Sequence, residues 1–264
     1  MSGVAALIFD VDGTLADTEE LHRQAFNAAF ASFGWDCRWS AELYRELLGV
    51  SGGKERIASY LQRLRLSQAE QERLHDLIPS LHACKNRIYG ERLTAGAIWP
   101  RAGVRRLMLE GRRSGVRLAI ASTTSLQNIE PLLHSAFGRG ALSWFSAIAT
   151  GDVVAAKKPA PDIYNLVLQS LELPPAAAVA FEDSTSGVRA AQAAGIFTVA
   201  VPNRWTQEHD FSSAELRLES LGEPDRPLDH ADQARIGAPY LTMRRLQELH
   251  FASEVSRSVH AGCG

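Results

Sequence analysis

Five short apolar runs constrain the fold of this 264-residue chain more than any other feature. They cover residues 5–9, 117–121, 146–150, 178–181 and 197–201. Segments with apolar residues at helical intervals occur between them. Continuous apolar strands that alternate with helices are typical of a parallel sheet covered on both faces. The sequence therefore predicts an α/β fold with a Rossmann-like parallel-sheet core, whose ligands bind beyond the carboxyl ends of the strands.

The interval from Thr18 to Thr94 breaks this alternation, because it shows helical periodicity and no convincing strand. The predicted helices cover residues 19–33, 41–48, 54–66 and 68–88. We predict that residues 18–94 form a helical cap inserted after the first strand. The predicted α/β core comprises residues 1–17 and 95–264, with an extra C-terminal tail from about residue 223. An insertion at this point overhangs the catalytic strand ends.

Two aspartates, Asp10 and Asp12, follow the first apolar run in the sequence FDVDGT. Ionised carboxylates are costly to desolvate unless a cation or a proton compensates them. A bound metal with one reactive carboxylate explains the pair most economically. A purely structural aspartate-rich turn is the alternative for this segment taken alone, and Gly13 suits such a turn.

Three later segments add groups suited to phosphate chemistry at further strand ends. Ser122 and Thr123 offer hydroxyl and backbone N–H donors, and Lys158 can neutralise negative charge. Glu182 and Asp183 supply oxygen ligands suited to magnesium. Taken singly, these residues also fit a helix cap, a solvated charge and the start of a helix. Together with the aspartate pair, they predict a phosphate site.

Charge considerations then predict the cofactor. A phosphate dianion beside Asp10, Asp12, Glu182 and Asp183 would be repelled, so Mg²⁺ is required. With the cation and Lys158 absorbing charge, one carboxylate can attack phosphorus while the other must carry a proton.

The motif order DxDGT, hydroxyl, KP and ED, over roughly residues 5–225, resembles the haloacid-dehalogenase-like superfamily of phosphohydrolases. The resemblance implies a helical cap that opens and closes, with hinges near residues 16–17 and 93–95. It also implies that Asp10 is the nucleophile and Asp12 the acid/base. The implied phosphate ligands are Ser122, Thr123 and Lys158. The implied metal ligands are Asp10, Asp12 through its backbone carbonyl, Glu182 and Asp183, with Asp183 the better candidate of the last pair.

The segments DTEELH (17–22), YRELL (44–48), GGKERI (52–57) and KKPAPDIY (157–164) are similar to the CbbY-like branch, near the beta-phosphoglucomutases. Proteins of the CbbY type hydrolyse xylulose-1,5-bisphosphate. The mutase arginine after a valine-serine pair is replaced by Gly52 here, which favours hydrolysis over phosphosugar transfer. A mutase, a phosphoglycolate phosphatase and a non-catalytic sugar-phosphate sensor are the alternatives. The presence of both aspartates beside Lys158 favours an enzyme.

The cap segment supplies candidate groups for substrate recognition. The candidates for a second phosphate are Arg45, Lys54 and Arg56, those for sugar hydroxyls are Glu20 and Tyr44, and His22 is placed to hydrogen-bond a catalytic carboxylate. Bare N–H groups at Gly52 and Gly53, before a helix that bears Lys54, form a plausible anion site. A solvated helix face is the alternative interpretation.

Composition restricts the partners and the compartment. A net charge of -2 argues against nucleic acid, and no apolar run reaches membrane-spanning length. The partner expected is a small sugar phosphate. The early first strand leaves no room for a signal peptide, and Cys37, Cys84 and Cys263 lack metal or redox spacing, so a cytoplasmic protein is expected. In the tail, we expect an irregular stretch at 223–232, a loosely amphipathic helix at 241–255 and a mobile thiol at Cys263.

Overall fold

A parallel six-stranded sheet lies at the centre of the protein, in a computed structural model that describes residues 3–96 and 98–261. Its spatial order is β3-β2-β1-β4-β5-β6. The strands are β1 (Ala6–Phe9), β2 (Arg117–Ala121), β3 (Phe145–Ala149), β4 (Ala178–Glu182), β5 (Phe197–Ala200) and β6 (Leu216–Arg217). The predicted α/β class and its five strands are confirmed. The sequence analysis missed β6 because two residues make no apolar run.

Four helices follow β1 before the chain returns to the sheet. They are α1 (Glu19–Ser32), α2 (Ala41–Leu47), α3 (Gly53–Arg63) and α4 (Gln68–Ala95). Helix α4 runs past the predicted end at residue 88 to Ala95, because Tyr89 and Leu93 continue its buried face. The other helices are α5 (Val104–Arg113), α6 (Leu126–Phe137), α7 (Asp162–Leu171), α8 (Thr185–Ala193), α9 (His230–Ile236) and α10 (Met243–Ala261).

The two faces of the sheet differ in residue size. Leu7 and Phe9 point to one face, where large apolar side chains pack against α5, α6 and α10. Ala6 and Ile8 point to the other face, where β2 and β4 contribute mostly alanine and the covering helices are α7 and α8. Because successive strand residues alternate between faces, both sides of each central strand are buried and the sheet is held firmly in position.

Helices α1 to α4 form the cap and have a hydrophobic core of their own, centred on aromatic side chains of α1 and the α1–α2 loop. Phe26 and Phe30 of α1 pack against the fully buried Trp39 at centroid distances of 4.8 and 4.9 Å. The interval holds no strand among the described residues, as the sequence predicts. The division of the chain at residues 17/18 and 94/95 remains a prediction.

The C-terminal tail packs on the α/β core. Leu241 and Leu246 are fully buried there, while Val255 is exposed. The expectation of an irregular stretch to residue 232 was wrong at its end, because Asp229 accepts a hydrogen bond from the Asp232 N–H and starts α9. Within the described residues, no helix combines the length and apolarity needed to cross a bilayer. Cys263 lies outside the described residues.

Candidate active site

A cavity of about 770 Å³ lies between the carboxyl ends of the strands and the cap. Strands β2, β1 and β4 are neighbours in the sheet, so Ser122, Asp10 and Asp183 come together at one edge although they are far apart in the sequence. Helices α1, α3 and α4 close the opposite side. The cavity therefore has a core half and a cap half, and each supplies different chemistry.

Lys158 lies at the centre of the core half. Its Nζ donates to Asp10 Oδ1 at 2.6 Å, to Glu182 Oε1 at 2.5 Å and to the Ala121 carbonyl at 2.9 Å. Burial acts to lower the pKa of Lys158, but the two carboxylates outweigh burial and raise this pKa above its usual value. Lys158 is therefore a fixed cation beside Asp10, and its hydrogen bonds set its direction.

Asp10, Glu182 and Asp183 form a cluster that can hold a metal ion, with carboxylate oxygens within 4.8 Å of one another. Burial, with the charge of Glu182, raises the pKa of Asp10 to about 8 against the opposing effect of Lys158. Burial and the charge of Asp10 also raise the pKa of Asp183. Asp10 and Asp183 therefore lack sufficient neighbouring positive charge to stay ionised together. The all-oxygen donor set of the cluster suits Mg²⁺.

The three carboxylates are not equivalent. Asp10 and Asp183 line the cavity, whereas Glu182 is fully buried and its Oε1 also accepts a hydrogen bond from Tyr164 at 2.5 Å. Glu182 Oε2 is buried and has no hydrogen-bond partner among the described residues. The donor set fits the implied metal, and Asp183 is better placed than Glu182 to bind it directly.

Asp12 belongs to a second network, which reaches into the cap. Its Oδ1 accepts from Thr18 at 2.7 Å and lies 2.8 Å from His22 Nε2. The other ring nitrogen of His22 is 2.7 Å from Lys85 Nζ, and the Tyr89 ring stacks on the imidazole at a centroid distance of 3.9 Å. When Lys85 is protonated it donates to Nδ1, so the His22 proton sits on Nε2 and is directed at Asp12.

Catalysis as expected from the sequence needs an ionised Asp10 and a protonated Asp12, but the pKa values of the two aspartates lie in the opposite order. Burial acts to raise the pKa of Asp12, but His22, Thr18 and Lys85 outweigh it and hold this pKa well below its usual range. Asp10 has the raised pKa. In the protein without ligands, Asp12 is therefore the more acidic carboxyl. A cation at Asp10 and a phosphate dianion beside Asp12 would each act to reverse this order.

The predicted phosphate ligands Ser122 and Thr123 line the cavity. The backbone N–H of Ser122 is already used, since it donates to the Ala149 carbonyl at 3.1 Å. The Ser122 hydroxyl accepts from the Thr124 N–H at 3.3 Å and can still donate its own proton. We therefore expect the Ser122 hydroxyl, rather than its backbone N–H, to meet a phosphoryl oxygen.

Of the predicted cap residues, His22, Lys54 and Arg56 line the cavity, whereas Glu20, Tyr44 and Arg45 do not. Glu20 pairs with Arg23 at 2.7 Å, and the Arg45 guanidinium lies 5.9 Å from the centre of the Trp205 ring. The expectation that Glu20, Tyr44 and Arg45 contact substrate stays a prediction, which their positions outside the cavity lining do not support.

The neighbouring acid, Glu19, occupies the place expected of Glu20. It lines the cavity, and its Oε2 accepts from the Tyr44 hydroxyl at 2.7 Å. Arg56 Nη1 donates to the same hydroxyl at 3.1 Å, and its other groups donate to the Leu47 and Val50 carbonyls. Arg56 is thus largely occupied in holding the cap together, while Glu19 is the acid presented to a ligand.

Helix α4 contributes lining residues that the sequence analysis did not single out. These are Pro79, His82, Ala83, Asn86, Arg87, Gly90 and Glu91. Lys85 was also missed, although Leu81, Lys85 and Tyr89 recur at four-residue spacing on the buried face of α4. A lysine in an otherwise apolar stripe is the signal that would have found it. Only 4% of Lys85 is exposed.

Lysines of the cap and of the core act on His82, which lines the cap half of the cavity. Burial and the charges of Lys85, Lys54 and Lys157 lower the pKa of His82 to about 3. His82 is therefore neutral at pH 7. The His82 ring lies against Gly53, at the start of α3, where Lys54 also lines the cavity. A second anion bound there would be favoured.

Comparison with known proteins places this geometry in a family. A model of the haloacid dehalogenase-like hydrolase family matches residues 7–201. Protein CbbY of Cereibacter sphaeroides is 46% identical over 220 residues, covering 83% of this chain and 94% of that protein.

Solved structures agree with the sequence match. CbbY from Rhodobacter sphaeroides, crystallised as a mutant with xylulose-(1,5)bisphosphate, is 44% identical with a TM-score of 0.75, covering 82% of this chain and 94% of that one. A beta-phosphoglucomutase from Clostridium difficile has a TM-score of 0.69 over 96% of this chain and 99% of that one. At 21% identity, this second likeness concerns the fold alone.

Proposed function

This chain belongs to the haloacid dehalogenase-like hydrolase family and is a phosphatase, and from that premise we propose that it hydrolyses a small sugar bisphosphate. The first candidate is xylulose-1,5-bisphosphate, the ligand of a related CbbY structure. The observation that carries the proposal is the division of one cavity into an acidic core half beside Lys158 and a cap half that presents Lys54 at the start of α3. Such a cavity suits a molecule with negative charge at both ends.

The reaction begins at Asp10. Its carboxylate attacks the phosphorus atom, the bond from phosphorus to the sugar oxygen breaks, and an aspartyl-phosphate forms. Lys158, fixed at 2.6 Å from Asp10, offsets charge on the transferring phosphoryl group, and the Ser122 hydroxyl donates to it. Mg²⁺ held by Asp10 and Asp183 would supply the remaining positive charge needed at phosphorus.

Proton transfer is the role that we assign to Asp12. It gives its proton to the departing sugar oxygen, and as a carboxylate it then takes a proton from the water that attacks the aspartyl-phosphate. Hydrolysis releases phosphate and restores Asp10. His22 and Thr18 hold Asp12 in place with bonds of 2.8 and 2.7 Å, so its free oxygen keeps one orientation through both steps.

Recognition of the second phosphate is assigned to the cap. Lys54 at the start of α3 lines the cavity. Arg87 and Arg56 line it too, but Arg87 pairs with Glu91 at 2.6 Å, and Arg56 donates to cap carbonyls and to Tyr44. Glu19 is the acceptor for a sugar hydroxyl between the two phosphates. Binding energy from this remote end would be used to align the reacting phosphoryl group and exclude water.

A substrate screen tests the proposal. The purified chain is assayed with Mg²⁺ against sugar mono- and bisphosphates, with release of phosphate and formation of isomeric sugar phosphates both measured. We expect the highest kcat/KM for a pentulose bisphosphate, because that ratio reports transition-state binding. Preference for phosphoglycolate would contradict the bisphosphate assignment, and net isomerisation without phosphate release would identify a mutase.

A further inference from the structure

Trp205 belongs to the core by sequence but packs in the cap. It lies in the loop after β5, and its side chain joins the hydrophobic cluster of α1 to α4. Its ring meets the Tyr44 ring edge to face at 5.6 Å, with an interplanar angle of 86°, and the Arg45 guanidinium lies 5.9 Å from its centre. Only 6% of this large side chain is exposed. The core thus contributes one side chain to the packing of the cap.

The core end of this contact is fixed beside the candidate metal site. The backbone N–H of Trp205 donates to Asn203 Oδ1 at 2.8 Å, and Asn203 Nδ2 donates to Asp183 Oδ2 at 2.7 Å. The Asn203 N–H donates to Thr206 Oγ1 at 3.1 Å, which closes the loop into a tight turn. Asp183 and Trp205 are therefore connected through a single side chain.

The cap end of the contact leads back into the cavity. Tyr44, which Trp205 covers, donates its hydroxyl proton to Glu19. Burial and the charge of Glu19 raise the pKa of Tyr44 well above its usual value, so the hydroxyl remains a donor at any working pH. Displacement of the Tyr44 ring would withdraw the donor that orients the Glu19 carboxylate.

We propose that Trp205 is a positioning residue, which holds Tyr44 and through it Glu19 against the substrate when the cap lies on the core. This inference rests on the proposed function for its choice of substrate. The contact makes the cap half of the site dependent on the loop that Asn203 ties to Asp183. Substrates that need the cap therefore need Trp205, and small phosphate esters that use only the core half do not.

Trp205 differs in kind from two polar links between cap and core. Lys157 Nζ pairs with Glu55 Oε1 at 2.7 Å, and Asn128 Nδ2 donates to Asn86 Oδ1 at 3.2 Å. The ion pair is partly exposed and is weakened by salt. The tryptophan contact is buried and apolar, so salt does not weaken it.

The test compares three variants, Trp205→Ala, Trp205→Phe and Trp144→Ala. Trp144 packs against Phe137 and Arg112, away from the cavity, and controls for general loss of stability. We expect Trp205→Ala to lower kcat/KM for the sugar bisphosphate by roughly tenfold or more and for a small aromatic phosphate by less than about twofold. Trp205→Phe retains the aromatic edge contact and should recover most of the loss. Equal losses on both substrates, or no loss, would overturn the proposal.

Amide hydrogen exchange on the ligand-free protein gives a second readout that does not depend on the substrate. We expect faster exchange in Trp205→Ala at both ends of the contact, residues 41–48 of the cap and 203–206 of the core, but not in Trp144→Ala. Unchanged exchange at residues 41–48 would contradict the positioning role. If the wild-type protein hydrolyses no bisphosphate, the proposed function fails while the exchange result still decides the role of Trp205.

Discussion

The core half and the cap half of the cavity are built on different principles. In the core, Asp10, Ser122 and Asp183 each follow a buried strand, so the backbone of the sheet fixes where they lie. In the cap, the functional groups lie on helices, where one residue changes direction by about 100°. Glu19 faces the cavity and Glu20 faces Arg23 for this reason. The sheet topology therefore sets the positions of the core side chains, whereas the rotation of each helix about its axis decides which cap side chains face the cavity.

The largest effect is expected when the proposed nucleophile of the core half is removed. Asp10→Asn keeps the shape of the side chain but loses its nucleophilicity, so we expect turnover of every phosphate ester to fall by roughly 10⁴-fold or more. Circular dichroism and the unfolding midpoint should show that the fold survives. Substantial residual activity in a pure preparation would remove Asp10 from its assigned role.

Removal of the metal should affect the core half next most strongly. We expect exhaustive chelation to reduce kcat by on the order of 10³-fold on bisphosphate and aromatic substrates alike, with recovery on addition of Mg²⁺. Calcium should inhibit, because its larger and looser coordination shell would misplace the carboxylate of Asp10. Full activity after chelation, or a preference for zinc, would contradict the assignment of Asp10 and Asp183 as magnesium ligands.

Asp12→Asn separates the two carboxylates within the core half. Loss of the acid/base should lower kcat by about 10² to 10⁴-fold. With an activated phosphate donor, whose leaving group needs no proton, the variant should still accumulate aspartyl-phosphate at Asp10, detectable by mass spectrometry of the trapped peptide. Absence of any phosphorylated peptide under trapping conditions would argue against distinct roles for the two residues.

A smaller effect is expected from Lys85 in the cap, and it is measured as the free energy of unfolding. Burial lowers its pKa from 10.5 to about 8, so between these values the unfolded chain holds a proton that the folded chain does not. The buried charge of Lys85 lowers the free energy of unfolding. This effect is fully present below pH 8 and is relieved as pH rises toward 10.5. Relative to Lys85→Met, the free energy of unfolding of the wild type should rise by on the order of 1 kcal/mol between pH 8 and 9. Urea unfolding curves that shift in parallel for both proteins would contradict this.

The sequence predicts the core half well because its signals are local. Asp10, Ser122 and Asp183 each follow an apolar strand directly, so the parallel arrangement of β2, β1 and β4 brings them together, whereas Lys158 comes from the longer loop after β3. The exception is β6, which is too short to show a pattern. The preference for Asp183 over Glu182 as the direct ligand agrees with their positions, since Glu182 is turned toward Lys158 and Tyr164.

The cap half resists prediction because its contacts are not local. Lys85 meets His22 across a separation of 63 residues, and Trp205 meets Tyr44 from the other domain of the predicted division. Arg45 has suitable chemistry for a phosphate, but its guanidinium lies 5.9 Å from the ring centre of Trp205, a residue far from it in the sequence. No motif spacing encodes such contacts, which depend on how complete helices pack.

The most direct test of this division of labour compares one core variant with one cap variant on two substrates. The assays use xylulose-1,5-bisphosphate and a small aromatic phosphate, with the variants Ser122→Ala and Lys54→Ala. The control is Arg63→Ala, because Arg63 lies on the same helix as Lys54 and forms an exposed ion pair with Glu46. The account predicts that Ser122→Ala lowers kcat/KM for both substrates by the same factor. Lys54→Ala should lower it for the bisphosphate alone by roughly tenfold or more, as expected for a charge-assisted hydrogen bond of about 1.5–3 kcal/mol. Equal losses on both substrates in Lys54→Ala would show that Lys54 maintains the cap without selecting the substrate, and would contradict the account.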